Sequence, residues 1–232
     1  MAFIALLFAW GTSCSQQGSS NQTETKIQQD QDTSPMVPSE VILFFGNSLT
    51  AGYGVNPEDA FPTLIQLKLD SLSLPYKVNN AGLSGETTAS GVNRIEWVLR
   101  EPVSVMVLEL GGNDGLRGID PEETKQNLQE IMDRAWAKYP NMRIILAGME
   151  APPNMGNQYT TAFRSIFLDL AAENDVPLIP FLLEGVGGEP EFNLEDGIHP
   201  NEAGHKIVAD NVWEVLEATL EHYKSEMINS GL

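Results

Sequence analysis

Residues 41–54 decide the fold, and they read Val41-Ile42-Leu43-Phe44-Phe45-Gly46-Asn47-Ser48-Leu49-Thr50-Ala51-Gly52-Tyr53-Gly54. Five apolar residues rich in β-formers lead into a small polar turn, which predicts a buried parallel strand followed by a loop. Ligands of open α/β sheets bind at the carboxyl ends of the strands. Ser48 is therefore the candidate nucleophile. The alternative is that Ser48 merely caps the next helix.

Apolar segments of strand length alternate with segments of helical period along the rest of the chain. The further predicted strands are Tyr76–Val78, Ser104–Leu110, Arg143–Met149 and Pro177–Pro180. The predicted helices are Pro57–Leu72, Thr87–Leu99, Pro121–Tyr139, Thr160–Asn174 and Glu202–Tyr223. This alternation predicts an α/β fold, a three-layer α/β/α sandwich around a parallel five-stranded sheet.

The first 40 residues differ in composition from the rest. Residues 1–13 are an apolar run that is too short to span a bilayer and ends in small residues before Cys14. This pattern predicts a signal or lipoprotein-type leader over residues 1–14, with Cys14 as the candidate lipidation site. No Lys or Arg precedes the run and Gly11 stands where lipoprotein signals usually carry Leu, so cleavage by the ordinary route stays open. Residues 15–40 are predicted to be a disordered polar tether, and residues 41–232 the folded domain.

The formal net charge of −19 argues against nucleic acid or an anionic membrane surface as the main partner. The charge does not exclude a small-molecule substrate, even a lipid-like one, which needs only an apolar groove near the site. Cys14 is the single cysteine, so no intrachain disulfide can form. No residue cluster has metal-ligand spacing, and no metal or cofactor is expected. The oligomeric state is open, with a monomer favoured.

Four polar clusters fall where predicted strands end or the last loop meets the closing helix. They are Gly46-Asn47-Ser48-Leu49, Ser84-Gly85-Glu86-Thr87, Gly111-Gly112-Asn113-Asp114 and Asp196-Gly197-Ile198-His199-Pro200. All carboxyl ends of a parallel sheet lie at one edge, so the clusters are expected to converge. The convergence predicts an active site there.

The residue types in these clusters suit nucleophilic catalysis. His199 would activate Ser48 as general base, and Asp196, three residues earlier, would orient the imidazole. The alternatives are that His199 belongs to helix capping around Pro200 and that Asp196 is a solvated acid. His205 and His222 are predicted to be surface or partly buried residues without a role.

A tetrahedral intermediate also needs hydrogen-bond donors for its oxyanion. The candidates are the backbone N–H groups of Ser48 and Gly85 and the side-chain amide of Asn113. Gly85 suits this role because a side chain there would obstruct approach of the backbone to substrate. The alternatives are that Gly85 serves turn geometry alone and that Asn113 only ties its loop together.

These blocks resemble the SGNH (GDSL-type) hydrolases, and in particular the periplasmic bacterial acyl-CoA thioesterase/lysophospholipase/arylesterase group. The resemblance covers about residues 41–220 and rests on residues 46–53, 108–118 and 196–201 in order and spacing. It implies the flavodoxin-like SGNH fold, the four family residues Ser48, Gly85, Asn113 and His199, and Asp196 as the acid. It further implies acyl esters or thioesters as substrates, and a protein exported to the periplasm or tethered to the outer membrane of a Gram-negative bacterium.

One residue departs from the family pattern, since Asn47 stands where the family usually has Asp. Asparagine keeps one acceptor oxygen but loses the charge and gains a donor. If hydrogen bonds to the turn are what matters, Asn47 should serve. If the charge tunes the site, the rate or pH profile should differ.

Two other functions compete with a long-acyl esterase. The first is a carbohydrate O-acetyl esterase with the same machinery, and the second is a catalytically silent tethered binding protein. Apolar loop residues are candidates to line an acyl groove, although such residues more often serve simple packing: Leu116, Met149, Pro152, Pro153, Met155 and Phe192.

Overall fold

The computed structural model describes the backbone of residues 40–230 and the side chains of residues 40–222. The predicted leader with Cys14 and residues 15–39 of the predicted tether lie outside the described residues. Glu40, predicted to end the tether, is instead the first residue of strand β1. The folded domain is therefore described from its first strand onward.

Five parallel strands form one sheet in the order β2-β1-β3-β4-β5. They are β1 (Glu40–Gly46), β2 (Tyr76–Gly82), β3 (Val105–Glu109), β4 (Arg143–Ala147) and β5 (Leu178–Ile179). The chain moves from β1 to one edge and then crosses back, so β1 lies between β2 and β3. Their carboxyl ends share one edge, which confirms the predicted α/β fold with a parallel five-stranded sheet.

The helices are α1 (Ser48–Ala51), α2 (Phe61–Ser71), α3 (Thr88–Val98), α4 (Gly112–Arg117), α5 (Pro121–Lys138), α6 (Asn157–Asn174) and α7 (Glu202–Ser230), with a 3₁₀ turn at Pro153–Met155. Helix α2 packs against α7, whereas α5 packs against both α3 and α6. Right-handed crossovers that run in opposite directions from β1 put their helices on opposite faces. The sheet therefore lies between two helical layers.

The apolar run of β1 supplies both halves of the core. Successive strand side chains point to opposite faces, so Phe44 and Phe45 enter different layers. Phe44 meets the ring of Phe61 in α2 edge-on, with centroids 5.5 Å apart. Phe45 lies under the guanidinium of Arg94 in α3, 4.5 Å from the ring centroid. Both phenylalanines are fully buried, which explains why this strand is a continuous apolar run.

Strand β2 continues to Gly82, beyond its predicted end at Val78, and it lies at an edge of the sheet. Its polar residues Asn79 and Asn80 are exposed, which a strand paired on both sides would not tolerate. The Asn80 side chain donates to the backbone oxygen of Thr50 at 2.8 Å and accepts from the Gly82 N–H at 2.9 Å. The end of β2 is thereby tied to the turn that carries Ser48.

The predicted bounds of the other elements are off by a few residues. Helix α2 starts at Phe61 rather than Pro57, α6 at Asn157 rather than Thr160, and α7 continues to Ser230. Residues 57–60 form turns before α2. In residues 40–230 there is no helix of the length and apolarity needed to cross a membrane.

Candidate active site

The turn after β1 presents Ser48 at the carboxyl edge of the sheet. Ser48 is the first residue of α1, and the residue that caps this helix is Asn47, whose Oδ1 accepts the N–H of Leu49 at 2.9 Å. Helix capping is thus done by the neighbour of Ser48. Ser48 is 8% exposed, so its hydroxyl is sheltered.

The structure brings three predicted site residues together. The Ser48 Oγ lies 2.9 Å from Nε2 of His199, and Nδ1 of the same imidazole lies 2.7 Å from Oδ2 of Asp196. The hydroxyl, imidazole and carboxylate therefore form a continuous hydrogen-bonded line. This geometry is the one that a histidine base between a nucleophile and an orienting acid requires.

One short turn fixes Asp196 and His199. Oδ1 of Asp196 accepts the N–H of Ile198 at 2.9 Å and the N–H of His199 at 3.0 Å. The pKa of Asp196 is lowered to about 2, chiefly by the His199 N–H bond and further by the Ile198 N–H and the imidazole. The carboxylate is therefore charged at neutral pH. The cap of α7 is Asn201, whose Oδ1 accepts the N–H groups of Ala203 and Gly204, so His199 is free of that role.

The predicted oxyanion donors lie on neighbouring strand ends that are tied together. The N–H of Leu83 donates to the carbonyl of Gly46 at 2.9 Å, which joins the loop after β2 to the turn after β1. Nδ2 of Asn113 donates to the Glu86 carbonyl at 3.0 Å, which joins α4 to the same loop. This amide nitrogen carries two hydrogens, so one remains for a ligand.

Gly85 adopts a φ of +83°, a conformation that favours glycine, and a Cβ there would meet no protein atom within 4 Å. The need for glycine therefore comes from the backbone conformation and not from crowding by the protein itself. Nη2 of Arg117 donates to the Gly85 carbonyl at 3.1 Å and fixes this peptide.

Glu109 is a site residue that the sequence reasoning missed. It lies at the end of β3, fully buried, and its carboxylate faces the nucleophile turn. Oε1 accepts Nδ2 of Asn47 at 2.7 Å. Oε2 accepts the N–H of Asn47 at 3.0 Å, the N–H of Thr50 at 3.3 Å and the Thr50 hydroxyl at 2.8 Å. Burial raises the pKa of Glu109 to about 7, and the four hydrogen bonds oppose that shift.

Gly46 is what allows this carboxylate to come so close. A Cβ at Gly46 would lie 2.5 Å from Oε2 of Glu109 and 2.2 Å from Oγ1 of Thr50. The sequence signal for Glu109 was an acid inside an otherwise apolar strand, next to the predicted nucleophile strand.

Two more residues support the site without having been predicted for it. Tyr53 packs against the His199 ring, with centroids 4.5 Å apart. Asp114 is fully buried and accepts the N–H of Thr88 at 3.0 Å and its hydroxyl at 2.5 Å. Burial raises the pKa of Asp114. Asp114 thus fixes α4, which carries Asn113, to the start of α3.

The prediction that His205 is a surface or partly buried residue without a role is wrong. His205 is 1% exposed, and its Nδ1 accepts the N–H of Phe61 at 3.3 Å. It thereby satisfies the first N–H of α2, whose capping residue Ala60 offers no side-chain acceptor. Burial lowers the pKa of His205 to about 4, so the ring is neutral at pH 7. His222 is exposed, as predicted.

Within the described part of the chain, no group of three or more His, Cys, Asp or Glu side chains is arranged to hold a metal ion.

Of the residues predicted to line an acyl groove, Met149 is 5% exposed and belongs to the core, whereas Leu116 is 45% exposed.

The fold and the site define an enzyme class, the GDSL-type hydrolases that act on ester bonds. The chain belongs to the GDSL-like Lipase/Acylhydrolase family, whose model matches residues 44–207. This confirms the resemblance stated from the sequence motifs.

Curated relatives agree with this family. The chain is 37% identical over 183 residues to the esterase TesA of Pseudomonas aeruginosa, a match that covers 78% of this chain and 90% of the relative. It is 38% identical over 185 residues to the thioesterase 1/protease 1/lysophospholipase L1 of Escherichia coli, covering 79% and 86%. An arylesterase of Vibrio mimicus is 35% identical over 179 residues, covering 77% and 88%.

Solved structures share the fold. The crystal structure of TesA matches with a TM-score of 0.74 and 37% identity, covering 77% of this chain and 99% of that chain. AlinE4, an SGNH-hydrolase family esterase, matches with a TM-score of 0.64 and 38% identity, covering 82% and 97%.

Proposed function

We propose that this chain is a serine esterase that hydrolyses acyl esters or thioesters through a covalent acyl-enzyme on Ser48. The observation that carries the proposal is the hydrogen-bonded line from Ser48 through His199 to Asp196. A serine hydroxyl is a weak nucleophile until a base accepts its proton, and Nε2 of His199 is within reach of that proton.

In the acylation step, the Ser48 Oγ attacks the carbonyl carbon of the ester while its proton passes to Nε2 of His199. Nδ1–H of the imidazole donates to Asp196, and the charged carboxylate stabilises the imidazolium that forms. His199 then gives its proton to the leaving alkoxide or thiolate, and the acyl group stays on Ser48.

The negative charge on the substrate oxygen would be held by the N–H groups of Ser48 and Gly85 and by the Asn113 amide. Each such donor is typically worth about 3 kcal/mol of transition-state stabilisation.

Deacylation repeats the step with water as the nucleophile. His199 takes one proton of the water, the bond between the acyl carbon and the Ser48 Oγ breaks, and His199 returns that proton to Ser48.

The apolar surroundings of the site favour an acyl substrate. Four half-exposed apolar side chains come from four different segments that carry site residues: Tyr53 (52%), Leu83 (49%), Leu116 (45%) and Ile198 (44%). Tyr53 packs against the His199 ring and Ile198 directly precedes His199, and exposed large apolar side chains beside a polar site are typical of a binding surface for an apolar ligand. The names of the relatives, an esterase, a thioesterase/lysophospholipase and an arylesterase, support acyl esters and thioesters as the substrate class.

The test is hydrolysis of p-nitrophenyl esters of increasing acyl length by the wild type and Ser48→Ala. We expect Ser48-dependent turnover that extends to butyrate and longer chains. The matched control is Ser71→Ala, because Ser71 is an exposed serine at the end of α2 and is not one of the proposed site residues. Activity confined to acetate would favour the carbohydrate O-acetyl esterase instead. Absence of Ser48-dependent turnover in folded protein would favour the silent binding protein.

We further propose that the chain is exported and that Cys14 becomes lipidated, from the apolar run and small residues that precede it. The test is labelling with an alkyne-tagged fatty acid in a Gram-negative host. Label on the wild type and none on Cys14→Ala would support the tether. Export without label would indicate a signal cleaved by the ordinary route.

A further inference from the structure

We propose that Asn47 and Glu109 form one matched pair of positioning residues that holds Ser48 in the orientation needed for attack; this rests on the proposed function of Ser48. The Asn47–Glu109 pair consists of the amide of Asn47 and the carboxylate of Glu109. Neither side chain touches substrate in this proposal. Both act through the turn that carries the nucleophile.

The amide of Asn47 can be oriented in only one way. Its Oδ1 accepts the N–H of Leu49 at 2.9 Å and lies 3.4 Å from the Ser48 hydroxyl. Its Nδ2 donates to Oε1 of Glu109 at 2.7 Å. A rotated amide would set Nδ2 against the Leu49 N–H and Oδ1 against a carboxylate oxygen, and both contacts would be repulsive.

The carboxylate of Glu109 in turn needs donors on both of its oxygens. Oε1 takes the Asn47 amide, while Oε2 takes two backbone N–H groups and the Thr50 hydroxyl of the same turn. The donors come from Asn47 before Ser48 and from Thr50 after it. The buried carboxyl group of Glu109 therefore fixes the turn on both sides of the nucleophile. Its burial raises its pKa to about 7, and the four donors oppose that shift because they favour the ionised form, which accepts from all of them.

This arrangement explains how the chain works without the usual family Asp at position 47. An aspartate there would put a second carboxylate oxygen where Nδ2 of Asn47 now lies, 2.7 Å from Oε1 of Glu109. Two carboxylates at that distance must share a proton. Asparagine removes the need for that proton and leaves Glu109 as the single carboxyl group of the turn.

If the two residues act as a pair, the amide and the carboxylate should be exchangeable between positions 47 and 109. In Glu109→Gln, one oxygen can keep the three Oε2 bonds, but the new NH₂ then faces Nδ2 of Asn47. In the double variant Asn47→Asp/Glu109→Gln, the NH₂ of the new glutamine faces an aspartate oxygen, and every bond of the wild type has a counterpart. The double variant should therefore outperform Glu109→Gln.

The experiment measures kcat and KM for p-nitrophenyl butyrate, with urea midpoints, in the wild type, Asn47→Asp, Glu109→Gln and the double variant. We expect Glu109→Gln to lower kcat at least tenfold with KM changed less than threefold, and the double variant to regain kcat to within about threefold of wild type. A folded Glu109→Gln whose kcat falls less than tenfold below wild type would overturn the proposal. So would a double variant that is no faster than Glu109→Gln.

Two additions keep the outcome decisive. If Glu109→Gln does not fold, the double variant decides: recovered folding and kcat support the pair, and a double variant that fails to fold or stays tenfold slow contradicts it. Thr219→Val, a buried threonine in α7, is the control for Thr50→Val, which removes one donor to Glu109 and should alone lower kcat. If the wild type shows no Ser48-dependent turnover, the proposed function fails, while the urea midpoints of the four proteins still test the pair.

Discussion

The ring of Tyr53 packs against the ring of His199, with centroids 4.5 Å apart and planes inclined by 42°. Tyr53 follows the nucleophile turn closely, since its N–H donates to the carbonyl of Ser48 at 3.0 Å. One side of the imidazole is therefore covered by a residue whose backbone is bonded to the nucleophile itself. The tyrosine is 52% exposed, so the residue that covers the imidazole also faces solvent beside the site.

Removal of this ring should loosen the imidazole. Contacts between aromatic rings are worth about 0.5–1.5 kcal/mol beyond burial, so Tyr53→Ala is expected to lower kcat/KM about two- to tenfold. Tyr53→Phe keeps the ring and should stay near wild type. Steady-state kinetics on p-nitrophenyl butyrate check this. A Tyr53→Ala variant as fast as wild type would show that Asp196 alone orients His199.

Asp196→Asn should reduce kcat on the order of 10²- to 10⁴-fold with little loss of stability. The new amide keeps Oδ1 for the N–H groups of Ile198 and His199 but puts an NH₂ where Oδ2 accepts from Nδ1. That NH₂ favours the tautomer with the proton on Nε2, which cannot take the Ser48 proton.

The control is Glu195→Gln, an exposed acid next to Asp196, which should leave kcat unchanged. Thermal unfolding of both variants would show that the fold is intact. If Asp196→Asn keeps kcat within twofold of wild type, Asp196 does not orient the base.

Gly85→Ala should impair catalysis more than it impairs folding. Its φ of +83° disfavours any side chain, and relaxation of the backbone would move an N–H assigned to the oxyanion. We expect kcat to fall about tenfold or more. Gly188→Ala is a matched control, because Gly188 has a φ of +81° and a Cβ there would also meet nothing within 4 Å.

The two glycine variants should show similar shifts in Tm, since the backbone cost is the same in both. Only Gly85→Ala should lose activity. Equal losses of kcat in the two variants would mean that the effect is general strain, and the assignment of the Gly85 N–H would be wrong.

His205 should make stability depend on pH. Its pKa is about 4 in the folded protein against 6.5 for a free histidine, so between these values the unfolded state binds a proton that the folded state does not. The contribution of His205 to the free energy of unfolding should therefore fall as the pH drops from 6.5 to 4, by up to about 3 kcal/mol. Urea unfolding of wild type and His205→Gln at pH 7 and 4.5 measures this contribution as the difference between the two proteins, because the raised pKa of Glu109 affects both alike and with the opposite sign.

The variant His205→Gln does not titrate and should lose less stability over the same pH range than wild type. His222→Gln, at an exposed histidine of the same helix, should follow the wild-type curve. Parallel pH curves for wild type and His205→Gln would contradict the role of His205 as the neutral acceptor for Phe61.

The sequence was sufficient for the sheet because β1 and β3 are apolar runs, and such runs can be buried on both faces only in a parallel sheet with helices on each side. It was less sufficient for β2, because Asn79 and Asn80 look like a loop until the strand is known to lie at an edge. The family and the enzyme class were also predictable, since they depend on blocks of residues in order.

What the sequence could not predict depends on which way a side chain points. His205 lies in α7, where a shift of one residue along the helix would turn a side chain from the start of α2 toward solvent. Only the contact with Phe61 shows which way the imidazole points. Glu109 lies in a strand whose side chains alternate between faces, and its role depends on Gly46 leaving room for a carboxylate. Both are buried polar groups whose partners are far away in sequence.

The proposed esterase activity depends above all on Ser48 as the nucleophile, and covalent labelling tests this most directly. The folded wild type and Ser48→Ala would be treated with a fluorophosphonate, digested, and analysed by mass spectrometry. We predict one phosphonate adduct, on the peptide that contains Ser48, and none on Ser48→Ala. An adduct on another residue, or equal labelling of both proteins, would contradict the account.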